Sequence, residues 1–202
     1  EDLVNVAVSA GNPWDGKAFW IEQFLREVVD NYGGNYFIQH PKSMLQFALG
    51  ESNSLTQVAI ERFMNVYKID PKKENLLEWF RHNSIFFLDA PNWIKYLKRF
   101  DLAIGPRFHG VALAVQAGIP GTVITIDSRT EELCDSSGIK KLPLERLEKL
   151  TSNEILELAL WSSKDVDYFQ GNRLLKAKKL IEFLEKNEIT VSAHLSQFAT
   201  LG

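Results

Sequence analysis

The chain has 202 residues, 45% hydrophobic and 24% charged, with a formal net charge of −3 at pH 7. That length supports one good core, and the small net charge gives no reason to expect nucleic-acid or anionic-membrane partners. One cysteine, Cys134, excludes an internal disulfide and a cysteine-built metal cluster, and the scattered histidines offer no paired ligand set, so no metal site is expected.

In chain order, an apolar run over residues 3–9 predicts a first strand, with the Gly11-Asn12-Pro13 turn behind it. Residues 17–32 place Phe19, Trp20, Ile21, Phe24, Leu25, Val28 and Val29 at helical spacing, and Gly33-Gly34 ends the helix. A second strand is predicted over 35–39, a helix over 55–67, a looser region around Asp70-Pro71 and a helical piece over 76–81. The third strand is predicted at 85–88, followed by a helix over 91–100 with Pro91 in its first turn. Strands four and five are predicted at 102–105 and 122–126, separated by a helix over 107–117. A helix over 130–136 and an edge strand over 140–142 follow. From Thr151 the pattern is wholly helical, over 153–161 and 166–186.

Short, apolar strands separated by helices predict a doubly wound, mostly parallel α/β sheet over residues 1–150, with a helical tail over 151–202 packed on it. No run approaches the roughly 18 apolar residues of a membrane span and no signal-peptide pattern opens the chain, so a cytoplasmic location is expected. Glu1-Asp2 lead straight into LVNVAV without an initiator methionine, which suggests a chain cut at a domain boundary of a larger protein.

Ligands of such sheets bind beyond the carboxyl ends of the strands. The candidates are therefore residues 11–15, 40–42, Asp89, 105–110 and 127–130. The unusual one is DLAIGPRFHGVALAVQAGIP, residues 101–120, where Arg107 and His109 stand at the start of a helix. A helix amino end carries partial positive charge and attracts acids or hydroxyls, so two basic groups there cost a few tenths to about 1 kcal/mol each. An anion bound between them removes that penalty, because the amides of residues 108–110, the helix field and the Arg107 guanidinium then converge on a phosphate or carboxylate. Gly110 permits close backbone approach. The bland alternative is a surface ion pair for Arg107 and a packing role for His109.

GPRFHGVALAVQAGIP followed by TVITIDSRTEEL resembles the carboxy-terminal half of the polysaccharide pyruvyl transferases, in order and spacing over residues 101–139. The resemblance implies a Rossmann-like lobe of a GT-B-type fold and transfer of pyruvyl from phosphoenolpyruvate, a co-substrate, onto sugar hydroxyls of a cell-surface polysaccharide. It associates Arg107 and His109 with phosphoenolpyruvate binding and proton donation; Phe108 and Gly110, in the same turn, are expected to bind the substrate with them. It also implies a sugar or lipid-linked saccharide acceptor and an acceptor-binding lobe outside this chain. One branch of the family often has a histidine before the aspartate of DSRT; Ile126 stands there in this sequence.

Other candidates carry plain readings beside functional ones. Asp127, Ser128 and Arg129 follow the fifth strand; Ser128 with Glu131 has the spacing of a capping box, whereas Arg129 could reach the same anion. His40 either caps backbone groups or contacts substrate. Cys134 reads as a buried small side chain rather than a reactive thiol, and His82 and His194 as surface residues. Trp20, Trp79 and Trp93 read as packing groups, with Trp14 the one tryptophan placed to meet a sugar. Two competing functions remain: a GT-B glycosyltransferase using a nucleotide sugar, which normally needs acids that are missing between Arg107 and Gly118, and a non-catalytic anion-binding module.

Overall fold

A computed structural model describes residues 5–14, 19–51, 55–68 and 75–200. The predicted starts of the first strand (residues 3 and 4) and first helix (17 and 18), together with Asp15 and Asp70-Pro71, lie outside the described residues.

Six parallel strands form one sheet in the order β3-β2-β1-β4-β5-β6. They are β1 (Val6–Ser9), β2 (Gly34–Phe37), β3 (Ser84–Ile85), β4 (Leu102–Gly105), β5 (Gly121–Thr125) and β6 (Lys140–Pro143). Their side chains alternate between two faces, as a pleated strand requires. Val6, Val8, Tyr36, Leu102, Ile104 and Ile124 bury into one cluster, while Ala7, Phe37, Ala103 and Val123 enter clusters on the other side. Both faces are covered by helices, which is why the strands read as continuous apolar runs rather than alternating ones. This is the Rossmann-like α/β arrangement expected from the sequence.

Against the first face pack α1 (Phe19–Tyr32), α2 (Lys42–Leu49), α3 (Gln57–Val66) and α4 (Leu76–Asn83). Helix α1 buries Ile21, Phe24, Leu25, Val28 and Val29, each a contribution of about 1.5–3 kcal/mol when fully buried. Its end is marked by Gly33, at φ 77°, whose N–H donates to the Val29 carbonyl. Around Tyr36, the rings of Phe47, Phe63, Tyr67, Trp79 and Phe80 meet at centroid separations of 4.5–6.3 Å. Helix α5 (Ala90–Leu97) and α6 (Phe108–Gln116) cover the second face, and α7 (Ser128–Ser137) lies beside α6.

The tail consists of α8 (Ser152–Ala159), α9 (Ser163–Lys186) and α10 (Ala193–Ala199). Helix α8 places Ile155, Leu156 and Ala159 in the first-face core, and the Ala159 carbonyl accepts from Thr122 Oγ1 at 2.7 Å. Trp161 Nε1 donates to the Gly121 carbonyl at 3.0 Å, and Lys140 Nζ pairs with Asp165 at 3.0 Å. Helix α9 sets Phe169 against the cluster around Cys134, and Arg173 lies over the rings of both Phe169 and Phe198, linking α9 to α10. No described helix is long and apolar enough to cross a membrane.

Two helices were not foreseen. Helix α2 follows a proline and is only eight residues long, and α10 is shorter still, so neither gives a long apolar repeat to read. The third strand is shorter than predicted: only Ser84–Ile85 pair with β2, leaving Phe86 and Phe87 to pack without ladder hydrogen bonds.

Candidate functional site

The strand order reverses between β1 and β4, and in an open parallel sheet the crevice outside the carboxyl ends at that reversal is where ligands bind. Two segments leave the sheet there: Ser9 to Gly11 from β1, and Gly105 to Arg107 from β4. Gly105 runs at φ 153° with its Cα hydrogens against the Ser9 carbonyl, a place no side chain could occupy.

Arg107 is the N-cap residue of α6, with extended backbone at φ −92° and ψ 102°. The Arg107 side chain makes no capping bond, and no acid lies in the first turn of the helix. The turn is held instead through the backbone: Ser9 Oγ donates to the Arg107 carbonyl at 2.9 Å, and Gln39 Nε2 donates to Ser9 Oγ at 2.7 Å. Gly110 is buried beneath this relay, where a Cβ would lie 2.5 Å from Ser9 Oγ and 2.7 Å from Gln39 Nε2. The half-buried Arg107 guanidinium makes no hydrogen bond or ion pair among the described residues. The ion pair of the bland sequence reading is therefore missing among them.

His109 is exposed, and its ring meets Phe108 edge-on at 5.9 Å. Phe108 itself leans into the cluster of Val111, Val123, Cys134 and Ile139, so its ring anchors the start of α6 to α7. Cys134 is buried there, and burial pushes its thiol up to about 11.

From the adjacent strand β5, Asp127 opens α7 in a way that corrects the capping assignment. The reciprocal box is Asp127 with Thr130, not Ser128 with Glu131. Asp127 Oδ1 accepts from Thr130 N at 2.7 Å, and Thr130 Oγ1 turns back toward the Asp127 amide at 3.3 Å. Those bonds hold the Asp127 carboxyl below the usual carboxylate range. Ser128 is thus the first residue inside the helix, exposed, with Arg129 exposed beside it; Arg129 makes no hydrogen bond or ion pair among the described residues. Asp89 likewise serves as a cap, accepting from Asn92 N at 2.9 Å.

His40 ends up elsewhere on the same edge. It is exposed, precedes a cis peptide to Pro41, and lines a cleft of about 190 Å³ with Gln39, Lys42, Leu45 and Phe86, beyond β2 and β3. Trp14, 43% exposed, stands edge-on to Phe63 and reaches Ser43 Oγ at 3.4 Å.

Three residues near the reversal were not singled out from sequence: Ser9, Gln39 and Glu22. Ser9 is a polar residue closing an otherwise apolar strand and Gln39 lies two residues beyond β2, and that was the available signal. Glu22 had none, since an acid near the start of an amphipathic helix reads as solvent-facing. It is fully buried. Tyr36 Oη and Tyr67 Oη both donate to Glu22 Oε2, the latter at 3.2 Å. Burial pushes its carboxyl up to about 7, against the opposing pull of the two tyrosines, the Gly11 amide and the Arg107 charge.

Fold and edge together define a Rossmann-like α/β protein whose strand order reverses between β1 and β4. Over residues 37–128, a little under half of the chain, it matches the family model described as polysaccharide pyruvyl transferase, which supports the similarity read from the motifs. That segment runs from β2 to the first residue of α7 and includes His40, Arg107, Phe108, His109, Gly110, Asp127 and Ser128. No curated protein and no solved structure gives a significant match.

Proposed function

We propose that the chain is the donor-binding lobe of a pyruvyl transferase, which passes pyruvyl from phosphoenolpyruvate to hydroxyls of a sugar or lipid-linked saccharide. The observation that carries this reading is the guanidinium of Arg107, without a hydrogen bond or ion pair among the described residues, at a helix start that it does not cap and that has no acid in its first turn, inside the family-matched segment and beside the strand-order reversal. A small dianion suits that setting because its charge offsets both the helix field and the cation.

In this reading Arg107 and the amides of residues 108–110 bind the donor's phosphate or carboxylate, and Arg129 reaches it from the neighbouring turn. His109 donates a proton to the methylene carbon of phosphoenolpyruvate, leaving an oxocarbenium-like centre at C2. A sugar hydroxyl attacks C2 and loses its proton, and the phosphate departs with the C2–O bond electrons. For a cyclic ketal a second hydroxyl of the same sugar adds to the C2 cation left by the phosphate and gives its proton to that phosphate. The acceptor is held by a further lobe.

The test is thermal unfolding with phosphoenolpyruvate, inorganic phosphate and nucleoside diphosphates, on wild type and Arg107→Ala. Phosphoenolpyruvate at about 100 times its Kd should stabilise wild type by about 2.7 kcal/mol, and the variant not at all. Selective stabilisation by a nucleoside diphosphate would point instead to a nucleotide-sugar glycosyltransferase. In an assembly that turns over, His109→Gln should lower the rate by about 10²–10⁴-fold with donor binding retained.

A further inference from the structure

Glu22 is the buried ionisable group that the proposed chemistry leaves unused. Its Oε1 occupies the space that a Cβ on residue 11 would need, so the glycine of the β1 turn and the carboxyl group fit one another. The same absent Cβ would lie 3.0 Å from Pro106 Cγ, which places the carboxyl beneath the meeting point of the β1 and β4 turns. Oε2 is saturated by the two tyrosines. Oε1 has no hydrogen-bond partner among the described residues, although the Gly11 amide is near enough to favour its charge. A buried, half-satisfied carboxyl is costly to keep charged unless a cation stands by.

That cation is Arg107. Tyr36 faces the carboxyl from β2 and Tyr67 from the end of α3; burial holds both phenols well above their ordinary value, so they stay neutral. Arg62 of α3 donates to the Pro13 carbonyl at 2.9 Å. On α1 itself, Arg26 is one turn further on, donating to the Tyr67 carbonyl at 2.7 Å and pairing with Asp30 at 3.1 Å. The acids of α8, Glu154 and Glu157, are exposed to solvent, and described β1 carries no titratable side chain. Among the described residues, therefore, Arg107, which follows Pro106 over the carboxyl, carries the cationic charge that acts on Glu22, with a weaker pull than those of the two tyrosines and the Gly11 amide.

We propose that Glu22 is a positioning residue coupled to the donor site: it balances the Arg107 charge in the anion-free protein and takes up a proton as an anion binds. This rests on the anion-binding reading of Arg107. An anion on the guanidinium cancels the field that keeps Glu22 ionised and adds a repulsive one, so the carboxyl protonates. By reciprocity, anion affinity falls as pH rises through neutrality, about tenfold for each unit by which binding raises the carboxyl's pKa.

The probe is sulfoacetate, a dianion that does not titrate between pH 6 and 8.5, measured by calorimetry in buffers of different ionisation enthalpy. His109→Gln is the background, so that no proton is taken up at residue 109. Expected are about tenfold weaker binding at pH 8.5 than at pH 6, and proton uptake near pH 7. Adding Glu22→Gln should abolish both and fix affinity near the low-pH value. In place of Glu22→Gln, Tyr36→Phe removes a hydrogen bond to the ionised form and should move the midpoint to higher pH. A slope that survives Glu22→Gln, a midpoint unmoved by Tyr36→Phe, or pH-independent binding in the background protein overturns the role of Glu22 and leaves the anion site standing. Absence of sulfoacetate binding at every pH overturns both.

Discussion

Arg107 and Gly110 do opposite things within one turn of helix. The guanidinium makes no hydrogen bond or ion pair among the described residues, so at pH 6, where Glu22 is mostly protonated, Arg107→Ala should change the melting temperature of the anion-free protein little while removing the response to phosphoenolpyruvate. Gly110 is fixed by its surroundings: a methyl group there meets Ser9 Oγ and Gln39 Nε2 well inside contact distance. Gly110→Ala should cost about 1–3 kcal/mol, read as a lower urea midpoint, because overpacking forces the relay apart. Glu22 adds a pH signature of its own. Its carboxyl is displaced upward, from an ordinary 4.5 to about 7, so its contribution is most favourable below about pH 4.5 and is lost as pH rises to about 7. At about 1.4 kcal/mol per unit of displacement, stability should fall by a few kcal/mol across that window, and Glu22→Gln should remove this component of the slope.

At the level of elements, the helix starts separate structure from chemistry. Helices α7, α8 and α9 each open on a reciprocal capping box, at Asp127, Thr151 and Ser162, while α6 opens on an arginine with no capping bond. Asp127→Ala should destabilise the protein by about 0.5–2 kcal/mol, and Asp127→Asn by much less. Because hydrogen bonds depress the Asp127 carboxyl, the cap is intact above its ordinary pKa of 3.8 and weakens as pH drops below that, where denaturation curves of wild type and Asp127→Ala should converge. Much of this was legible in the sequence. The strands other than the third, and the odd helix start at 107, follow from local pattern, since each depends on residues close together in the chain. The capping box was displaced by one residue because Asp127 and Ser128 are both good caps, and only backbone geometry chooses between them. Glu22, Ser9 and Gln39 were missed for a different reason. Their significance comes from Tyr36, Tyr67, Arg107 and Gly110, residues on other strands and helices that no local spacing could connect.

On the scale of the whole molecule, the helical tail is built into the sheet. Ile155 is 1% exposed in the core that also holds Val6, Leu102 and Ile124. Ile155→Ala should therefore cost about 2–5 kcal/mol in chemical denaturation, a loss characteristic of a core position and not of a peripheral helix. The relay Gln39–Ser9–Arg107 has a reach that its two short bonds do not suggest. It ties β2 and β1 to the turn leaving β4, so three neighbouring ribbons of the sheet share one tether. Seizing the arginine from outside tightens that tether, and amide deuterium uptake should slow at residues 37–39 and 9–11 as well as at 107–111 when phosphoenolpyruvate is added. Cutting it with Ser9→Ala should confine the slowing to the last of these segments.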